Sequence, residues 1–269
     1  MTPELLASLS SSLPEGRVIT SGEDDGDVPL LWLSTAPVSA ELWASLLAEH
    51  SASGLWPLLL DAHDPDDAEF SPWASGELVP ERLTSPHAYD AGELMDQWWS
   101  AYTETDEDDD MLTPDQRLAL AAPFGQTWPG PNLSYEPEAN ADQMAAEYAQ
   151  VFADRHPQAR LGLVAAACGA DALTAAGWSG PANYDDTAKF SAVVRDWERR
   201  FGARVVGVGF DTLHLSVAGP PLHAQDALLV AAEHFAFCPD NVWQGSSPQT
   251  LAAYAERIVG MNCWDFWWD

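Results

Sequence analysis

The sequence predicts an α+β fold. Short apolar runs typical of strands alternate with longer segments whose apolar residues recur at helical spacing. In the C-terminal part these segments follow the order strand, helix, strand, strand, helix, strand once minor helices are set aside, which is the order of the ferredoxin-like split βαβ unit. The aromatic run at 263–269 would then be the last strand, and we expect it to pair with the strand at 161–166.

Composition and length indicate a globular protein with a large core. The chain has 269 residues, 46% of them hydrophobic, and no run of 18 apolar residues. The first twenty residues lack a basic region followed by an apolar one, so we expect neither a membrane span nor a signal peptide. Cys168, Cys238 and Cys263 are odd in number and widely spaced, which favours reduced thiols and a cytoplasmic location.

The charge excludes some partners. Asp and Glu number 42 against 11 Lys and Arg, giving a formal net charge of −31. Binding of nucleic acid or of an anionic membrane by a basic patch is therefore not expected. Such acidity fits solubility, a salty cytoplasm or a basic protein partner.

The N-terminal region reads as α/β. An apolar strand at 28–33 precedes a helix that Ser39 caps and Gly54 ends, and a second apolar strand follows at 55–60. This spacing indicates a βαβ crossover with parallel strands. The segment 61–67 that follows is rich in Asp and contains His63, which fits either a metal site or, as we favour, a solvated acidic loop.

Pro and Gly mark the predicted boundary. After a helix at 90–103 and an acidic run at 106–110, a capping box at Thr113 opens a short helix, and residues 123–131 contain too many Pro and Gly for regular structure. We therefore divide the chain into an N-terminal region, 1–157, and a C-terminal domain, 158–269. Because the split βαβ order is complete within 158–269, we expect that part to fold alone.

The centre of the C-terminal domain is a predicted β-hairpin within 201–217. If Asp211 and Thr212 form a two-residue turn, Phe210 pairs with Leu213 and both apolar sets share one face. The opposite face carries Gly207, Gly209, His214 and Ser216. Strand glycines often mark the close approach of a ligand or of another backbone. That face is a candidate binding surface, with a tightly packed helix as the plainer alternative.

The C-terminal part resembles a known family. The resemblance rests on Arg195-Asp-Trp-Glu198, the stretch 201–211, Ala232-Glu-His-Phe235, Phe237-Cys-Pro-Asp240 and Phe266-Trp-Trp-Asp269. Together these phrases are similar to the bacterial domain-of-unknown-function family 4253 over roughly the last 110 residues. The resemblance implies a domain boundary and no established chemistry.

Several polar residues are weak catalytic candidates. His234 and Cys238 lie four residues apart, so one helix face could present both to a metal or pair them as thiolate and imidazolium. A zinc site needs three or four protein ligands, so we favour a structural role and expect no metal and no cofactor. Asp211 and Asp240 suit turns, and as catalytic carboxylates they would need arranged neighbours.

Tryptophans supply the remaining candidates for binding. Trp264, Trp267 and Trp268 lie in the closing run, where one strand face is expected to be core. The other face is either an aromatic interaction surface or further core packing. Trp243 joins them as a binding candidate.

Two hypotheses about function follow. The first is a cytoplasmic binding protein, of the immunity type for example, that engages a basic protein partner through an acidic, aromatic-bearing surface. The alternative is a small hydrolase or metal-dependent enzyme that uses Asp211, His214, His234, Cys238 and Asp240 around the glycine face. No phosphate loop, dinucleotide fingerprint or serine elbow is present to favour a known enzyme class.

Overall fold

The structure is a computed structural model that describes residues 2–21, 28–64, 67–75, 77–104, 113–132, 139–245 and 249–269. The acidic run predicted at 106–110 lies outside these ranges. Among the described residues, no helix is long and apolar enough to cross a membrane.

One mixed sheet of seven strands organises the chain, and the order across it is β1-β2-β4-β3-β5-β6-β7. Together with the helices it confirms the predicted α+β class. The strands are β1 (Gly16–Thr20), β2 (Pro29–Pro37), β3 (Leu55–Leu60), β4 (Arg160–Ala165), β5 (Ala203–Val208), β6 (Thr212–Val217) and β7 (Cys263–Trp267).

The helices connect and cover these strands. They are α1 (Pro3–Ala7), α2 (Ala40–Ser53), α3 (Ala91–Thr103), α4 (Pro114–Leu120), α5 (Ala141–Arg155), α6 (Gly169–Ala175), α7 (Thr187–Phe201), α8 (Ala224–Phe237), α9 (Asp240–Trp243) and α10 (Leu251–Ile258), with 3-10 turns at Pro80–Arg82 and Pro86–Ala88.

Local signals explain where α2 begins and ends. The Ser39 hydroxyl accepts a hydrogen bond from the Leu42 backbone N–H, which satisfies one free donor of the first turn. Gly54 then ends the helix with φ at 69°, a left-handed conformation that glycine adopts without steric cost. Both residues act as the sequence predicted.

The predicted N-terminal crossover has parallel strands, as expected. β2 and β3 each run antiparallel to β4, which lies between them, so they are parallel to each other. Helix α2 makes the connection. The sequence could not show that the crossover spans an intervening strand that is contributed from beyond residue 157.

The ferredoxin-like split βαβ unit predicted for 158–269 is wrong. That unit needs β7 beside β4, but β7 pairs with β6, and the two neighbours of β4 are β2 and β3. β3 also lies between β4 and β5, to which it is antiparallel and parallel respectively. The physical reason is that every residue of β3 is buried, and a central position covers both faces of such an apolar strand.

The predicted register of the hairpin is also wrong. Val208 pairs with Leu213 and Val205 with Leu215, with a bulge between them that takes up one residue. Phe210 therefore leaves the strand and is 43% exposed. Val205 and Val206 at this bulge are both buried.

Helices cover both faces of the sheet. On β7, Trp264 and Phe266 contact Trp197 of α7, with ring centroids 5.4 Å apart in each pair. Asp265 points to the opposite face, where it accepts a hydrogen bond from Tyr148 of α5. Helices α2 and α5 therefore cover one face of the sheet, and α7 and α8 cover the other.

Candidate functional site

The first group of predicted catalytic residues holds the end of the chain. Cys238 donates its thiol hydrogen to the Trp267 carbonyl oxygen at 3.0 Å. Asp240 accepts from the Asp269 backbone N–H at 3.1 Å and from the Tyr184 hydroxyl at 2.6 Å. Both side chains are buried, so they act as a clamp on the strand end and are poorly placed to meet a substrate.

Asn241, which sequence reasoning missed, completes this clamp. β7 is an edge strand, and the Asn241 amide bonds its open edge by donating to the Asp265 carbonyl at 2.7 Å and accepting from the Trp267 N–H at 3.2 Å. The side chain thereby occupies backbone groups that could otherwise pair with another chain. The position of Asn241, directly after the Cys-Pro-Asp phrase, was the available signal.

His234 is enclosed in the core. Its ring is fully buried, and its Nδ1 lies 2.9 Å from the Tyr254 hydroxyl. Burial and the positive charge of Arg200 lower the pKa of His234 to about 3, so its imidazole is neutral. Burial also raises the pKa of the Cys238 thiol, which disfavours a thiolate–imidazolium pair.

The described residues contain no group of three or more His, Cys, Asp and Glu that could hold a metal. Of the predicted catalytic set, only Asp211 and His214 keep access to solvent.

Glu233, adjacent to His234, has a structural role. Its fully buried carboxylate accepts hydrogen bonds from Arg200, from the Trp197 indole at 2.7 Å and from the Asn132 backbone N–H at 2.8 Å. The pKa of Arg200 is raised, because the attraction of Glu233 outweighs the effect of burial. This ion pair joins α7 to α8 and fixes the connecting segment at residue 132 against them.

The glycine face is covered where the sequence left it open. A Cβ on Gly207 would lie 2.4 Å from a ring carbon of Phe152, so glycine is required there for α5 to approach the sheet. The space where a Cβ of Gly209 would lie is occupied by the Thr212 hydroxyl. Ser216 is buried, and its hydroxyl has no hydrogen-bond partner among the described residues. At Gly207 the alternative of a packed helix is therefore confirmed.

His214 belongs to a cluster that the sequence did not reveal. His156 Nδ1 lies 2.6 Å from an Asp61 carboxylate oxygen, and His214 Nδ1 lies 3.0 Å from an Asp265 oxygen. The two imidazole centroids are 5.4 Å apart. We name these four residues the histidine–carboxylate patch. They come from the end of β3, the end of α5, β6 and β7, so only strand pairing brings them together.

The patch is ordered and still reachable by solvent. Its side chains are 29% exposed at His156, 26% at Asp61, 12% at His214 and 44% at Asp265. Burial alone would raise the pKa of Asp265, but the hydrogen bond and charge of His214, with the hydrogen bond from Tyr148, keep it below its ordinary value. The carboxylate therefore stays charged and orients the imidazole.

Beside the patch lies an exposed pair of aromatic rings. Trp267 is 38% exposed, and its indole N–H donates to an Asp211 carboxylate oxygen at 3.1 Å. Phe210 lies next to Asp211, with its ring 4.6 Å from that of His63. We name Phe210, Asp211 and Trp267 the tip. It combines large apolar area with negative charge.

The other candidate tryptophans lie elsewhere. Trp264 and Trp268 are buried in the core. Trp243 is half-buried, donates its indole hydrogen to Asp240 at 2.7 Å and packs on Phe235. Trp267 alone among the four predicted tryptophans is exposed at a surface.

A separate cleft of about 270 Å³ opens near α6, and its lining includes Cys168, Glu198 and Arg204. Glu198 accepts from the Ala170 backbone N–H at 3.0 Å. Burial raises the pKa of Glu198. Burial and the neighbouring Glu198 carboxylate raise the pKa of the Cys168 thiol to about 12. The thiol is therefore protonated at neutral pH and is a poor nucleophile.

Comparison with known proteins bears on the C-terminal part. No curated protein and no solved structure matched. Residues of the short sequence motifs that suggested a family resemblance form hydrogen bonds with one another. Cys238 donates to Trp267, Asp240 accepts from Asp269, and Trp197 donates to Glu233. The family model described as "Domain of unknown function (DUF4253)" matches residues 160–269, which confirms the predicted resemblance.

Proposed function

We propose that the protein binds a basic protein partner through the tip, as an immunity-type protein would bind a basic toxin. The observation that carries the proposal is the tip itself, where two exposed aromatic rings flank a carboxylate on a chain of net charge −31. Tryptophan is enriched among residues that dominate binding energy, and carboxylates select cationic partners.

The distribution of basic side chains supports a negative surface. Several basic residues in the described part of the chain form ion pairs with its own carboxylates. These pairs are Lys189–Asp185, Arg195–Asp171, Arg199–Asp196, Arg200–Glu233 and Arg204–Asp142. The excess of acidic residues is left to set the field around the molecule, and such a field accelerates encounter with a basic protein.

Two hydrogen bonds order Trp267 in the free protein. Its backbone N–H bonds Asn241 and its indole N–H bonds Asp211. A side chain that is ordered before binding loses less conformational freedom when the complex forms. This arrangement supports a role for Trp267 as the anchor of the interface.

The enzyme alternative has less support. His234, Cys238 and Asp240 are buried within the core and the chain-end clamp, and the glycine face is filled at Gly207 by Phe152. We also place the proposed binding in the cytoplasm, since the three cysteines are free, as is usual in reducing compartments.

Parallel affinity purification tests the proposal. The tagged full chain, Trp267→Ala and Asp211→Asn would be compared in lysate of the native host, with Leu222→Ala and Glu256→Gln as matched exposed controls.

We expect a basic protein to be retained by the wild type and by both controls. Trp267→Ala should weaken its binding by about 30-fold or more, as is typical when an interface anchor is removed. Retention of the same proteins by Trp267→Ala, or of no basic protein by the wild type, would refute the proposal.

A further inference from the structure

We infer that the histidine–carboxylate patch takes an arginine side chain of the basic partner and releases it when the two imidazoles are protonated. This inference rests on the proposed function, because it assigns the partner chemistry and the regulation of the surface that includes the tip.

Strand pairing makes the patch and the tip one surface. His214 pairs with Asp265, and Thr212 pairs with Trp267 on the same two strands. Asp265 and Trp267 are two residues apart, so they point to the same face about 7 Å from each other. On the other side, the Asp61 backbone N–H donates to the Val208 carbonyl at 2.9 Å. A ligand on the patch would therefore reach the exposed Trp267 ring.

The hydrogen bonds within the patch leave acceptors for a ligand. An ionised carboxylate can only accept, so Nδ1 of each histidine must carry the hydrogen of the bond to its Asp. In a neutral imidazole the other nitrogen, Nε2, is then an acceptor. Two imidazoles and two carboxylates, all of them partly exposed, thus lie together at one surface. A guanidinium group carries five N–H donors and no acceptor, which complements this set.

Arginine fits this surface better than lysine does. Its planar guanidinium bonds carboxylates with two parallel N–H groups and stacks on aromatic rings, and Trp267 offers such a ring beside Asp265. A lysine ammonium is a compact charge that gains less from planar acceptors and from a ring face. The patch is therefore expected to discriminate between two cations of equal charge.

Protonation reverses the charge of the patch. With both imidazoles neutral, Asp61, Asp265 and the nearby Arg155 of α5 give −1, and two protonated imidazoles change this to +1. Phe152 of α5 packs on both imidazole rings, and Tyr148 of α5 donates a hydrogen bond to Asp265. Cys263 lies near Asp265 and Arg155, while His63 and Asp211 lie toward the tip.

Protonated imidazoles also lose their Nε2 acceptors. Binding of a cation and protonation of the two imidazoles therefore oppose each other, so affinity for the cation falls as pH is lowered.

Binding of labelled hexa-arginine and hexa-lysine peptides to the full chain, followed by fluorescence anisotropy, tests this inference. Measurements would be made at about pH 7.5 and about pH 5.5, which bracket histidine titration, in about 0.15 M salt to suppress long-range attraction. The variant His156→Asn/His214→Asn keeps a donor for each carboxylate and removes the titration. His223→Asn is the control, since His223 is exposed at the start of α8.

We expect the wild type and His223→Asn to prefer hexa-arginine and to lose about tenfold in affinity at the lower pH. The double variant should show little pH dependence of peptide binding, and a cooperative melt at each pH would confirm that it remains folded.

Equal affinity for the two peptides, no binding of hexa-arginine at about pH 7.5, or the same pH dependence in the double variant would overturn the inference. Failure of the proposed function is distinguished by the affinity purification, because Trp267→Ala would then capture the same partner as the wild type does.

Discussion

Removing residues 1–157 is expected to unfold the rest of the chain, because β3 supplies the centre of the sheet. Leu55, Leu58, Leu59 and Leu60 of β3 are at most 1% exposed. Full burial of a leucine contributes about 1.5–3 kcal/mol, so these four side chains account for about 6–12 kcal/mol. The total stability of a domain is about 5–15 kcal/mol. The fragment 158–269 would lose most of that margin and would leave β4 and β5 without their shared neighbour.

Circular dichroism melts of the fragment and of the full chain measure this effect. We expect no cooperative transition for 158–269 alone, and recovery of a folded complex when 1–157 is co-expressed. Leu58→Ala in the full chain is the matched control, because one truncated core leucine should cost about 2–5 kcal/mol while unfolding stays cooperative. A cooperative melt of the fragment close to that of the full chain would refute the reasoning and would support independent folding of the region that the family model matches.

Three further predictions concern two buried or partly buried carboxylates and the C-terminal strand. Glu233→Gln leaves Arg200 without its buried partner and should lower the free energy of unfolding by about 3–5 kcal/mol in urea titrations; an unchanged midpoint would contradict a stabilising role for this pair. Deleting residues 264–269 removes two buried tryptophans, each worth about 3–5 kcal/mol, so the truncated protein should be aggregated on gel filtration, whereas a monomer with unaltered melting would show that the run is dispensable. The pKa of Asp265 lies below its ordinary value, so its carboxylate stabilises the fold above the pKa of the unfolded chain, and this contribution is lost as pH falls below about 4. Asp265→Asn should therefore flatten the acid limb of a melting-temperature profile, and a limb as steep as that of the wild type would exclude this origin.

Local features were predictable because their causes are local. The start of α2 at Ser39 and its end at Gly54 follow from hydrogen-bonding and backbone preferences that act within one turn. The structural role of Cys238 followed from its place beside a proline with too few further ligands nearby. The resemblance to the family could be recognised because it depends on the order of residues alone.

Pairing between strands was not predictable in the same way. Placing β7 beside β4 assumed that neighbours in a familiar element order are neighbours in the sheet, but β4 was already flanked on both sides. The hairpin register failed because a bulge changes which residues face each other without changing composition.

By itself the sequence determined the α+β class, the position of most strands and helices, the acidic charge and the phrases shared with a family. Only the tertiary structure decided that Asp61, His156, His214 and Asp265 form one patch, and that Trp267 is exposed while Trp264 is core. The reason is that secondary structure responds to periodicity over a few residues. A site assembled from segments up to about 200 positions apart depends instead on which strand edges find each other, and that is settled by burial of the whole core.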